Sequence, residues 1–336
     1  GEEFTVTVTV SPSPVVADQD TTVNSGDAIE VVLGSDTDGA PAILNYRITG
    51  ITSTDLTPST NNRVVGDVIS ADGIINDLYT NTSSSVVAVI YRVVPISAEG
   101  CEGSEFTVTV GIRPSPVVSS QTETVCNEQS LELTLNTSEN GVAIASYNVV
   151  SINSNGLTAT SGVTNNTEDQ DVILPNETLN ASYTNNSNGP VDVLYRIVPV
   201  SDQGVDGSDF TVTVVVNPVP VVSSQTETVC SGETINLDLN DGIVSGGTSF
   251  NYTIAEVSIP SGLTRTGPSS YGTGSESLNS DSFINETTSA VDVVYTVVPY
   301  IEIPGAAADC GGEEFTVTVT VSPSPVVADQ DTTVNS

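Results

Sequence analysis

The 336 residues carry 42 acidic side chains against 6 basic ones, all arginine, for a formal net charge of −36, and they include no Lys, His, Met or Trp. Without His or Lys there is no imidazole base, His-ligated metal, Schiff-base lysine or phosphate-cradling lysine, and so anionic a chain repels the phosphates of nucleic acid. Apolar residues still make up 37%, in short Val, Ile and Leu blocks that disordered acidic segments lack. No run reaches the ~18 apolar residues of a membrane span and no signal peptide begins at Gly1, so the sequence reads as a soluble piece of a longer product.

Residues 2–10 contain Phe4-Thr-Val-Thr-Val, the alternation of a half-buried strand. The same five letters return at Phe106, Phe210 and Phe315, at spacings of 102, 104 and 105 residues. A proline junction follows each copy, at Pro12 and Pro14, Pro114 and Pro116, Pro218 and Pro220, and Pro323 and Pro325. Within each repeat, residues 28–33 or their counterparts predict a strand, followed by one centred on Tyr46, Tyr147 or Tyr252. Next comes a continuous apolar run holding Tyr91, Tyr195 or Tyr295, whose first copy, residues 86–94, reads as a central strand covered on both faces. No segment has a capped helical period.

About seven short strands per ~100 residues, punctuated by Gly, Asn, Ser and Pro, predict an all-β chain of tandem immunoglobulin-like β-sandwiches. The core anchors are then Phe4, Phe106, Phe210, Phe315, Tyr46, Tyr147, Tyr252, Tyr91, Tyr195 and Tyr295. Residues 1–12 read as the last strand of a preceding domain, followed by repeats over 13–113, 114–218 and 219–322. Residues 323–336 begin a further repeat and are identical to 12–25. The whole of 312–336 copies 1–25 letter for letter, which implies either a higher-order period of three domains or a duplication. Proline junctions stiffen the joints, so the array reads as a semi-rigid linear rod of roughly 100 to 120 Å per three domains.

The four cysteines fall in register with the repeat. Twenty residues after each Phe stand Asn24, Cys126, Cys230 and Asn335; five residues before it stand Cys101, Val205 and Cys310. In an immunoglobulin-like topology these two slots occupy opposite poles of one domain, too distant for a bond needing Cα atoms about 4.4 to 6.8 Å apart. The first slot of one domain does face the second slot of the next. The predicted bridges are therefore interdomain: Cys126 to Cys310, and Cys230 to the Cys101 of the following period, with Asn24 facing Val205 at the joint that lacks both. Free thiols and an intradomain Cys230 to Cys310 bond remain alternatives. Bridges across joints imply an oxidising, extracellular setting.

Other chemistry is sparse. Asp36 and Asp38 precede Gly39 as in the opening of a Ca²⁺ loop, without the rest of such a loop, and no other cofactor is expected. Acidic clusters also occur at Glu168, Asp169 and Asp171 and between Asp202 and Asp209; a solvated surface accounts for them. Asn81, Asn136, Asn165, Asn176, Asn180, Asn185, Asn251 and Asn285 each begin an Asn-x-Ser/Thr triplet, the acceptor pattern of exposed loops. No cleft is signalled for paired carboxylates, and no enzymatic activity is expected.

The run Asn81-Thr-Ser-Ser-Ser-Val-Val-Ala-Val-Ile-Tyr-Arg-Val-Val-Pro95, then Gly100-Cys101-Glu-Gly, then Phe106-Thr-Val-Thr-Val and a proline junction, resembles the PKD-like repeats of giant cell-surface adhesins in Bacteroidota, including those of gliding motility. The resemblance spans all three repeats. It implies type IX secretion, a cell-surface location and a stalk or filament shaft, with neighbouring repeats and the surface-anchoring machinery as partners. An array of carbohydrate-binding modules is the alternative of a different class. A variant of the structural reading is a subunit whose strand at 2–10 completes a neighbouring chain.

Overall fold

A computed structural model describes residues 1–34, 41–160, 168–247, 250–267, 278–303 and 309–325. Three domains of one pattern follow one another, all β apart from a single 3₁₀ turn, Leu239–Gly242, among the described residues. In the first domain the main sheet runs Gln19–Asn24, Phe106–Arg113, Val87–Ser97, Ile43–Thr52, Val68–Ser70. The second repeats it as Gln121–Cys126, Phe210–Asn217, Val191–Ser201, Ile144–Asn153, Val172–Ile173. The third has Gln225–Cys230, Phe315–Ser322, Val291–Ile301 and Asn251–Ser258, with Cys310–Gly311 pairing onto Val291–Ile301.

In every domain the first strand runs parallel to the closing Phe-Thr-Val-Thr-Val strand, and the closing strand runs antiparallel to the long central one. A second layer of two-stranded pairs, such as Leu131–Thr134 with Thr178–Ala181, covers the inner face. The period of two dictates which side chains are buried. Phe106, Val108, Val110 and Ile112 are at most 2% exposed, while Thr107 and Thr109 between them are half-buried. The central strand alternates in the same way: Val89, Tyr91 and Val93 are buried, but Ala88 and Arg92 face solvent. Cover on both faces holds in part: on the outer face Val94 is buried and Ile90 half-buried, while Ala88 and Arg92 are open.

The anchors meet as the register requires. Tyr46 and Phe106, Tyr147 and Phe210, and Tyr252 and Phe315 pack edge to face at 6.1, 6.2 and 6.1 Å, the favoured geometry for ring quadrupoles. Tyr91, Tyr195 and Tyr295 are fully buried, so each hydroxyl needs a partner. Tyr91 donates to Asp77 at 2.7 Å, Tyr195 shares a 2.7 Å bond with Tyr183, and Tyr295 donates to Asp281 at 2.7 Å. Asp281 in turn takes a two-pronged contact from Arg265 at 2.9 and 2.8 Å.

Phe4, expected in the last strand of a preceding domain, stands outside the three domains described. Residues 1–18 form no strand, and Phe4 is 84% exposed where Phe315, in an identical ten-residue sequence, is 5% exposed. Phe4 is thus no core residue of these three domains. A closing strand owes its burial to the first and central strands flanking it, and among the described residues no such pair flanks residues 1–10.

Candidate functional site at the interdomain joints

The chemistry of the chain gathers where one domain meets the next. At the N-terminal pole of each domain the chain arrives through a proline whose carbonyl is covered by a glycine of the loop before the closing strand. A Cβ on Gly103, Gly207 or Gly312 would stand 2.0, 2.2 or 2.1 Å from the carbonyl oxygen of Pro14, Pro116 or Pro220. No side chain fits at that distance. The same glycines donate their N–H groups to Pro95, Pro199 and Pro299 at 2.8 Å, so the second cysteine slot, two residues earlier, is locked against the incoming chain.

The other slot belongs to the C-terminal pole. Ser25, Asn127 and Ser231, each following a slot residue, donate their N–H groups to the last residues of the closing strands, Arg113, Asn217 and Ser322, at 3.0, 2.8 and 2.9 Å. Beside them lie Asn81, Asn185 and Asn285, almost wholly buried. Each donates from Nδ2 to two backbone carbonyls, Ser85 and Ile112 in the first domain, and accepts the N–H of the residue two further on at Oδ1. Every polar atom of these amides is engaged. These three triplets are therefore structural turns, with no nitrogen open to a glycan; Asn136 and Asn176 remain exposed.

The two joints are held differently. Between the second and third domains, Cys126 and Cys310 form a disulfide with Cα atoms 5.4 Å apart, inside the range such a bond needs. Asn188 there also accepts the Gly246 N–H at 3.2 Å. Between the first and second domains the side chain of Asn140 acts as the clasp. Its Nδ2 lies 2.9 to 3.1 Å from the carbonyl oxygens of Thr82, Ser83 and Ser115, and its Oδ1 accepts the Val117 N–H at 3.2 Å. A crevice of about 320 Å³ beside it is lined by Arg113, Pro114, Gly141 and Ser201 among others. Arg113 also reaches Asn24 at 3.3 Å, and Val205 is buried.

Cys101 and Cys230 are free, half-buried and exposed respectively. Cys101 lies at the N-terminal pole of the first domain and Cys230 at the C-terminal pole of the third, so the two thiols stand at opposite ends of the three-domain unit.

Asp36 and Asp38 lie outside the described residues. Among the described residues no three Asp, Glu, Cys or His side chains converge as a metal site would require. The acidic loops serve turns and ion pairs instead. Asp169 accepts the Ile152 N–H at 3.0 Å. Arg196 holds Asp209 at 2.6 Å, and that bond draws the Asp209 carboxyl below its ordinary range. The described aromatics are buried except Phe4 and Tyr300. Tyr300 lines a groove of about 790 Å³ with Asn251, Thr253, Glu302 and Asp309. No helix among the described residues is long and apolar enough to cross a membrane.

Sequence reasoning missed the glycine and proline lock and the Asn140 clasp. The first was signalled by a glycine standing eight residues after each Pro95-type proline, or thirteen in the third repeat with its longer loop; the second had no signal, since the second repeat alone carries it.

A family model described as PKD-like domain matches residues 42–116, 123–220 and 227–325. No curated protein matches. Among solved structures, an I-band fragment of titin is 8% identical, with 94% of this chain and 97% of that one covered at a TM-score of 0.31. A fragment of Drosophila N-cadherin is 10% identical, with 92% and 100% covered at 0.21. The human desmocollin-1 ectodomain is 12% identical, with 93% and 62% covered at 0.26. At these values the likeness is too loose to bear on function.

Proposed function

The chain belongs to the PKD-like domain family, three times over, and from that premise we propose that it is a stalk or filament shaft of a large bacterial surface adhesin, extending an adhesive tip for attachment or gliding. The observation that carries this reading is the covalent joint: a disulfide between consecutive domains, its cysteines 184 residues apart in sequence, resists bending and pulling without serving any pocket. Resemblance to the repeats of Bacteroidota adhesins supplies the remainder, namely type IX export and a cell-surface address. In this reading residues 1–12 close a preceding domain, 323–336 open the next, and Cys230 bonds the Cys101 of the following period, so that two joints in three are covalent.

Small-angle scattering tests the shape. A rod of three such domains has a radius of gyration of roughly 30 to 35 Å, against about 20 Å for one compact body of this length. Surface labelling of intact source cells with antibody to the chain tests the location; label appearing only after lysis contradicts it. A glycan-binding array draws on exposed aromatics, and Tyr300 is the one described candidate in a folded domain. Loss of any glycan-array signal in Tyr300→Ala, with signal in the unaltered chain, is the result that would turn the reading toward carbohydrate.

A further inference from the structure

The joint between the first and second domains is held by one side-chain amide where the next joint has sulfur. Asn140 reaches from the second domain to the Thr82 and Ser83 carbonyls of the first and to that of Ser115 in the junction, all from Nδ2 at 2.9 to 3.1 Å. Its Oδ1 accepts the Val117 N–H at 3.2 Å and the Ser138 hydroxyl. The next residue is Gly141, at φ +75°. A glycine in that place leaves its backbone nitrogen unhindered by a Cβ, so the nitrogen is a ready nucleophile toward the preceding side-chain amide. We propose that Asn140–Gly141 is a deamidation site which the closed joint protects, and that its conversion releases the first joint irreversibly.

The chemistry needs no co-reactant but water. The Gly141 nitrogen gives up its proton and bonds to Asn140 Cγ; Nδ2 leaves with that proton as ammonia, and a five-membered cyclic imide remains. Water then opens the imide at either carbonyl, giving aspartate or isoaspartate and one free proton. In the closed joint both reactants are tied. The amide is engaged at Nδ2 and Oδ1, and the Gly141 N–H is directed to the Ser138 carbonyl at 3.4 Å, so attack waits for local opening. The product cannot restore the clasp. An aspartate is an acceptor only, and at position 140 its carboxylate would face three carbonyl oxygens that it cannot bond. Isoaspartate adds a carbon to the backbone and displaces the side chain.

Two other Asn-Gly pairs serve as controls. Asn155 is exposed and donates from Nδ2 to Asp192 of its own domain at 2.8 Å. Asn188 sits at the second joint, where Cys126–Cys310 persists whatever becomes of the amide. Thermal opening is sufficient for conversion, so the site stands apart from the stalk reading.

The test ages the full oxidised chain in mildly alkaline buffer, folded and in denaturant, and follows all three asparagines by peptide mapping. In denaturant they are expected to convert at similar rates. In the folded chain Asn140 is expected to fall at least about tenfold below its own denatured rate, as a joint open less than about a tenth of the time imposes. Equal rates for Asn140 in the two conditions overturn the protection, and no conversion in denaturant overturns the site. A second arm compares the unaltered chain with Asn140→Asp and with aged chain converted at residue 140, isolated by anion exchange through its added negative charge. Because the aged chain folded before conversion, it carries the comparison even where the variant misfolds, which circular dichroism reports. Residual dipolar couplings are expected to describe the first and second domains as one body in the unaltered chain and as two in the converted forms. The second and third domains, bridged by sulfur, stay one body throughout. First and second domains that remain one body after conversion, or that are already two in the unaltered chain, overturn the role of the amide.

Discussion

Burial holds the central tyrosine hydroxyls neutral. Tyr91 and Tyr195 have acidities shifted well above the ordinary phenol value, first by burial and then by the neighbouring Tyr79 with Asp77, or by Tyr183. In the unfolded chain the same phenols ionise near pH 10. Above that pH the unfolded state has therefore lost protons that the folded state keeps, and stability falls as pH rises. The melting temperature is expected to hold between about pH 7 and 9 and to drop beyond about pH 10, with no Lys to blur the transition; a flat melting profile to about pH 11 contradicts the burial. These tyrosines were legible because strand periodicity marks the inner face. The roles of Asn81, Asn185 and Asn285 were not, since an Asn-x-Ser/Thr triplet reads the same whether its amide is wrapped in backbone or open to solvent.

The closing strand gives the sharpest internal control in the molecule. Phe315→Ala removes a buried ring that packs on Tyr252 and should cost the third domain about 3 to 5 kcal/mol, whereas Phe4→Ala, in the same sequence but exposed, should change the monomer's stability by no more than about 0.5 kcal/mol. Denaturant melts of the two variants separate them; equal losses would place residues 1–10 in a core. The joints offer a second comparison. Asn24 and Val205 occupy the slots that Cys126 and Cys310 fill, so Asn24→Cys with Val205→Cys is expected to close a bridge at the first joint, seen as a crosslinked peptide under non-reducing conditions. Persistence of two free thiols there would mean that the Asn140 clasp sets a different geometry. Long strands such as Phe106–Arg113 were readable from alternation. The two-residue ladders of the second layer were not, because a pair such as Thr57–Pro58 with Tyr79–Thr80 is too short to have a period. The parallel pairing of first and closing strands also left no trace in composition.

Across the whole molecule the disulfide changes where tension travels. Cys126 ends the first strand of the second domain, and Cys310 lies five residues before the closing strand of the third. Pulled from its two ends, the chain passes load from Cys126 straight to Cys310, so residues 127–309, most of two domains, lie off the path and cannot be drawn out. The acidic surface fits the same picture: like charges on a chain of net charge −36 repel neighbouring molecules, while the joint between the second and third domains is held by sulfur. Register within the repeat made this bridge readable in advance, because slots that recur at fixed distances from Phe106, Phe210 and Phe315 define which poles face each other. Single-molecule stretching of the oxidised and the reduced chain tests the covalent joint most directly. Reduction is expected to add the 184-residue separation to the unfolded length, roughly 600 Å at about 3.3 to 3.6 Å per residue. Equal contour lengths with and without reductant would contradict a bridge that carries tension between the second and third domains.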